Sequence, residues 1–246
     1  MVPLSVLLPD AELPDGPAAS ERVYRAFAAG EPTKSAPPSL REYLDALEGD
    51  AYDEAVILTP AVEFTVMYRN ARLAATMARR HVEVVDTRTA AAGQGLIVSV
   101  AVEALEAGAS ASEVAEIARE AAHRTDLVAM LPDLASIERS GHVPATALHA
   151  TGGTATQPIF RFSEGSVVPL GGQGTQADAT SILRTTWAAA GGLEADRTLF
   201  FHAASYAEAL RFRTNLGHDQ PIVEFSPAMT VHTGIGCVGV AWMRAP

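Results

Sequence analysis

The chain has 246 residues, 48% of them hydrophobic, enough apolar mass for one large domain or two small ones. Its 29 acidic residues outnumber its 18 basic ones, for a formal charge of −11, which argues against nucleic acid as a partner because phosphate contacts need clustered Lys and Arg. The single cysteine, Cys237, excludes an internal disulfide, and a reducing compartment fits.

The opening MVPLSVLLPDAELPDG has no basic n-region and no cleavage pattern, so no signal peptide is expected. No apolar run is long enough to span a membrane, and the expected location is the cytoplasm. Ser5-Val6-Leu7-Leu8 reads as a first strand. Helices are expected over 20–29 and 39–48, the second with Ser39 as N-cap and Glu42 completing a capping box. Ala55-Val56-Ile57-Leu58 reads as a buried strand. A long amphipathic helix follows over 62–80, with Val62, Val66, Ala74 and Met77 as its expected inward stripe, ending at the basic cluster Arg79-Arg80-His81. Val82-Glu83-Val84-Val85 is the next strand. Helices near 89–107 and 112–124 lead to a strand over 126–130.

This alternation predicts an α/β fold: a parallel sheet with helices on both faces. Ligands of such sheets sit outside the carboxyl ends of the strands, here Leu8-Pro9-Asp10, Thr59-Pro60 and Asp86-Thr87. The pattern then changes. Ile159 to Phe162 and Val167-Val168 predict a hairpin turned by Glu164-Gly165. A helix (176–190), a strand (198–202), a helix (205–216) and two last strands follow. We place a boundary near 154, giving an α/β part over 1–154 and a smaller α+β part over 155–246.

Sites of chemistry are scarce. The seven histidines form no i, i+4 pair with a nearby glutamate, and one cysteine builds no thiolate site, so no metal is expected. Ser140-Gly141-His142 lacks the layout of a nucleophile elbow. Gly171-Gly172-Gln173-Gly174 lacks the Lys-Ser/Thr of a phosphate loop and reads as a connector. Asp10 and Asp86 stand at strand ends, Asp86 with turn bonding as its expected role. GIGCVG over 234–239 matches G-x-G-x-x-G, yet the dinucleotide fingerprint needs a following helix and a further strand, and only seven residues remain. Its glycines are therefore expected to serve a strand bend or a close backbone approach. Cys237 and His232, placed in a strand, point to opposite faces, and a hydrolase or transferase built on them ranks last.

Several stretches, in order, resemble the DegV family of bacterial fatty-acid-binding proteins. Val84 to Gly95, VVDTRTAAAGQG, is similar to the family's V-I-D-S-x-x-x-S-x-G-x-G. Ile137 to Val143, IERSGHV, resembles L-K-K-G-G-R-I. Pro158 to Leu170 resembles the family's hairpin, and Thr230 to Gly236, TVHTGIG, its terminal G-x-H-T-G-P-G. Ser35-Ala36-Pro37-Pro38-Ser39 is similar to T-S-Q-P-S-P, and Leu13-Pro14 to the end of D-S-T-A-D-L-P. The resemblance implies a carrier, not an enzyme, that buries a long-chain fatty acid between two domains, needs no cofactor and presents the acid to a partner kinase. It implies that hydroxyls and the terminal histidine hold the carboxylate.

Carried over residue by residue, the resemblance nominates Thr33, Lys34, Ser35, Thr59, Val62, Thr65, His232 and Thr233 as the ligand site. There are departures. The family's serine pair falls on Ala61 and Val62, its third serine on Thr65, and the threonine of T-S on Lys34. A strand pair expected between Leu13-Pro14 and Ser35 is missing. The basic positions after the hairpin become Gly174 and Gln176, against docking to a kinase. Losing a hydroxyl at Val62 costs a carboxylate roughly 1.5–3 kcal/mol of hydrogen bonding. Either Thr59, Thr65, Lys34 and His232 compensate, or the scaffold has diverged to another small ligand or a protein partner.

Overall fold

The computed structural model describes residues 1–48, 52–134, 157–171 and 176–246. The segment resembling L-K-K-G-G-R-I, the Ser140-Gly141-His142 stretch, His149 and Gly174 lie outside the described residues.

The first sheet is small. Strands β1 (Ser5–Leu8), β2 (Ala11–Pro14) and β3 (Lys34–Ala36) pair antiparallel in the order β2-β1-β3. The expected parallel role for Ser5 to Leu8 is thus corrected. Leu8 pairs directly with Ala11, so Pro9-Asp10 folds the chain straight back. A parallel partner would need a crossover of a dozen or so residues. Helix α1 (Ser20–Ala28) packs Val23 against Val6 and against two residues from the far end of the chain, Ala228 and Val231. Helix α2 (Leu40–Leu47) starts at the expected capping box, where Ser39 and Glu42 satisfy each other's backbone N–H groups.

Strands β4 (Glu54–Thr59) and β5 (His81–Asp86) form a parallel pair joined by helix α3 (Met67–Met77). That helix differs from expectation. It buries Met67, Ala71 and Ala74, whereas Val66 and Met77 stay exposed, as does Val62 in the turn before it. Small alanines let the helix backbone approach β5, and the stripe one residue over faces solvent.

Helices α4 (Ala91–Glu106) and α5 (Ala111–Arg124) are followed by a six-stranded mixed sheet. It contains β6 (Thr125–Met130), β7 (Ile159–Ser163), β8 (Ser166–Gly171), β9 (Ala195–His202), β10 (Ile222–Glu224) and β11 (Val238–Arg244), in the order β10-β9-β11-β6-β7-β8. Only β9 and β10 run parallel in it; β6 lies antiparallel between β11 and β7. A division at 154 cuts across this sheet, because β6 precedes it and its partners follow it.

Residue alternation sorts the sheet's two faces. Leu127, Ala129, Ala241 and Met243 share a core with Leu96 and Ile97 of α4 and Ala118 and Ala122 of α5. Val85 of β5 joins that core, so α4 and α5 lie between the parallel pair and the large sheet. Helix α4 buries Ala92, Leu96, Ile97 and Ala101 in this way, whereas its Val98, Val102 and Leu105 stay exposed. On the other face, Val128, Met130, Val240 and Trp242 pack against helices α6 (Gln176–Ala189) and α7 (Tyr206–Asn215) through Leu183, Trp187 and Phe212. The β7–β8 turn is the expected one, with Glu164 and Gly165 both at positive φ, 49° and 76°. Among the described residues no helix is long and apolar enough to cross a membrane, and no group of three His, Cys, Asp or Glu side chains is placed to hold a metal.

Candidate functional site

The stretch around His232, expected in a strand, forms helix α8 (Pro227–Thr233). The local signals are a Ser-Pro start: Ser226 accepts from Met229 N–H, and Pro227 sits where its missing N–H does no harm. Asp15 accepts from Ala228 N–H at 2.9 Å, tying the helix to the N-terminal sheet. The helix stops at Gly234, whose φ of 82° suits glycine, and Gly236 follows at 104°. Gly234 and Gly236 of GIGCVG therefore turn the chain from helix toward β11, and Gly239 lies within that strand.

This packing carries His232, in the last turn of α8, onto β3. Its Nε2 lies 2.6 Å from the Ser35 hydroxyl, and both side chains are half-buried. Lys34, next to Ser35 on the strand, points to the opposite face and is exposed, so it does not join the pair. Thr33 is half-buried just before the strand. Thr233 donates to Met229 C=O at 3.1 Å and also meets the Cys237 thiol. Complete burial pushes that thiol up to about 12, so it holds its proton and offers no thiolate nucleophile.

A second polar locus lies at the carboxyl ends of β4 and β5. Thr59 is fully buried, and its hydroxyl donates to Val85 C=O at 3.4 Å. Thr87 donates to Thr59 C=O through both its hydroxyl, at 2.8 Å, and its amide, at 3.0 Å. Asp86 takes its expected turn role, accepting from the N–H groups of Arg88 and Val62, and burial raises its pKa. Ala61 is buried and donates its amide to Thr89 C=O. Thr65 accepts from Met67 N–H at the start of α3. Asn70 of α3 donates to Pro38 C=O at 3.0 Å, joining this locus to the segment after β3.

The sequence model described as "Uncharacterised protein, DegV family" matches residues 1–245. The chain belongs to the DegV family. A DegV domain-containing protein of Streptomyces coelicolor is 27% identical over 97% of this chain and 89% of its own length. Another, from Mycobacterium tuberculosis, is 26% identical over 97% and 88%. Among solved structures, a fatty-acid-binding DegV-family protein of Thermus thermophilus superposes with a TM-score of 0.90 at 21% identity, over 99% of this chain and 91% of that one. DegV of Bacillus subtilis, a fatty acid binding protein, gives 0.84 at 21% over 100% and 91%.

Of the eight nominated residues, this DegV-family structure joins two directly, Ser35 and His232. Thr59 and Thr65 are engaged with backbone at the second locus, and Val62 points no buried group at either. Sequence reasoning missed Asn70 and Asp15, which hold the frame through backbone groups, a role no residue pattern announces. It also missed Thr89, whose fully buried hydroxyl lies against Gly93 in the first turn of α4 and has no partner among the described residues. An open cavity of about 530 Å³ lies on the α6–α7 face, lined by apolar side chains such as Met130 and Leu183 and equally by polar ones such as Arg184, Glu208 and Arg211, and a second of about 510 Å³ adjoins it around Arg184 and Leu216. None of the eight nominated residues lines either cavity. The first reaches Val238, the residue that opens β11 just after the turn from His232.

Proposed function

We propose that this DegV-family chain is a carrier that binds a long-chain fatty acid and hydrogen-bonds its carboxylate at the Ser35–His232 pair. The contact between these two side chains carries the reading. A hydroxyl and an imidazole 2.6 Å apart lie half-buried where helix α8 meets the small sheet; with Nε2–H donating to the Ser35 oxygen, the Ser35 O–H is left to donate to an anion and the imidazole holds it in place. In this reading the tail is buried between the two parts of the chain, where each methylene gains about 0.8 kcal/mol. Solved relatives that bind fatty acids support the reading, among them a stearic-acid-binding protein of Eubacterium ventriosum with a TM-score of 0.87 at 18% identity. In this reading the carrier does no chemistry of its own.

Native mass spectrometry of protein purified from cells tests the proposal, together with titration by palmitate and oleate. An added acyl mass, or binding that His232→Ala weakens, is expected. A ligand-free protein that ignores both acids overturns it. That result would favour the diverged scaffold, for which the buried methyl of Ala61 and the exposed side chain of Val62 speak.

A further inference from the structure

Helix α3 carries an apolar line that the fold does not use. Met67, Ala71 and Ala74 face the core. Beside them Val66, Leu73 and Met77 are 41%, 49% and 57% exposed. At 100° per residue these three fall within about 40° of one another, along the entire helix. Val62, in the turn before, is exposed as well.

The charge along this line runs against that of the chain. No acidic residue occurs from Phe64 to Val82, whereas Arg69, Arg72, Arg79 and Arg80 do, in a chain of net charge −11. Arg69 and Arg72 are exposed on the outward half of the helix, to one side of the apolar line, and Arg79 is exposed in the bend that follows the helix. Among the described residues they have no acidic partner, unlike Arg22 with Asp10 and Arg197 with Glu103. Arg80 is turned back over the Tyr52 ring, 4.5 Å from its centre. Aliphatic side chains in line, edged by unpaired guanidinium groups, make up the pattern of a helix that lies in a lipid–water interface.

We propose that α3 is a docking face for an anionic phospholipid bilayer. Leu73 and Met77 enter the headgroup layer toward the acyl chains, and Arg69, Arg72 and Arg79 reach the phosphates with their stems along the apolar boundary. The acidic remainder of the chain is repelled by the same surface, so the protein meets it with α3 first. The inference does not depend on which ligand the chain carries.

Vesicle co-sedimentation tests it, using equal parts phosphatidylglycerol and phosphatidylcholine against phosphatidylcholine alone, at low and physiological salt. Wild-type protein is expected to pellet with the anionic vesicles and to be released by salt. Replacing Arg69, Arg72 and Arg79 together by Gln lowers partitioning on the order of a hundredfold. Leu73→Ser with Met77→Ser lowers it roughly tenfold. All five positions are exposed, and unchanged thermal melts confirm that the variants fold. Equal pelleting with both vesicle types, or variants that pellet like wild type, overturns the proposal. Retention on immobilised polyglutamate without vesicle binding overturns it too, and assigns the face to an acidic protein partner.

Discussion

The Ser35 hydroxyl and the His232 ring nitrogen lie 2.6 Å apart, although 197 positions separate them in the chain. Their meeting depends on two docking events: β3 pairing with β1, and α8 packing on the same small sheet through Val231 and Ala228 against Val6 and Val23. Neither residue is required for that packing, so each can be changed with the frame intact.

Ser35→Ala and His232→Ala are therefore each expected to weaken palmitate binding by about tenfold to a hundredfold, the loss of one hydrogen bond to a charged group. Displacement of a fluorescent fatty acid measures it. The double variant should cost less than the sum of the singles, since the pair acts as one unit. Hexadecanol, which has no carboxylate, should bind wild type and variants alike. If both variants bind palmitate as wild type does, the carboxylate lies elsewhere.

Gly239 is the last glycine of GIGCVG and the one whose role is close approach. A Cβ there would overlap the Phe201 ring and the Val128 carbonyl oxygen on a neighbouring strand. The ring can rotate away, but the backbone oxygen cannot. Gly239→Ala should destabilise by about 3 kcal/mol or more, read as a lower denaturant midpoint or as loss of folded protein. Adding Phe201→Ala should recover little, because the carbonyl clash remains and a cavity is added.

Asp126 is buried at the start of β6, with its carboxylate clamped by Arg161 Nε and Nη2 at 3.0 and 2.8 Å and by Arg244. The clamp binds β6 to β7 on one side and to β11 on the other. Asp126→Asn leaves two guanidinium groups short of their counter-ion. The loss should reach about 2–4 kcal/mol, toward the low end because both arginines stay partly in water. Urea unfolding measures it. Ligand affinity per folded molecule should not change.

How much of this was legible beforehand follows the range of the forces involved. The capping box at Ser39 and Glu42 and the Glu164-Gly165 turn were readable because their partners lie within three residues. The placement of β6 was not. Thr125 to Met130 is buried on both faces, which suits any central strand, and its neighbours Ile159–Ser163 and Val238–Arg244 are chosen by long-range packing. Of the inward stripe expected on α3 only Ala74 is buried; Val66 and Met77 share the period of Met67 and Ala71 and differ only in phase. His232 was found through its motif, but in the wrong element: Ser226-Pro227 signalled a helix, and a seven-residue helix leaves too short a pattern to see. Thr89 could not be picked out from Thr59 and Thr87, because which hydroxyl lacks a partner is decided by the folded surroundings.

His202, at the carboxyl end of β9, gives the fold a pH dependence of definite sign. It is buried, its Nδ1 accepts from Ser205 N–H at 3.1 Å, and burial lowers its pKa from 6.5, with Glu224 opposing. A ring that accepts from a backbone amide is neutral on that nitrogen. The unfolded chain takes up a proton as the pH falls through 6.5, while the folded chain does not until a lower pH. The contribution is thus complete above 6.5 and is lost on acidification toward the folded value. Asp86, whose carboxyl is raised by burial, acts in the opposite direction at lower pH. The urea midpoint should accordingly fall as the pH drops from neutral through 6.5, and His202→Gln should flatten that fall while costing stability at neutral pH through the lost acceptor. A variant with the slope of wild type would place the sensitivity on another histidine.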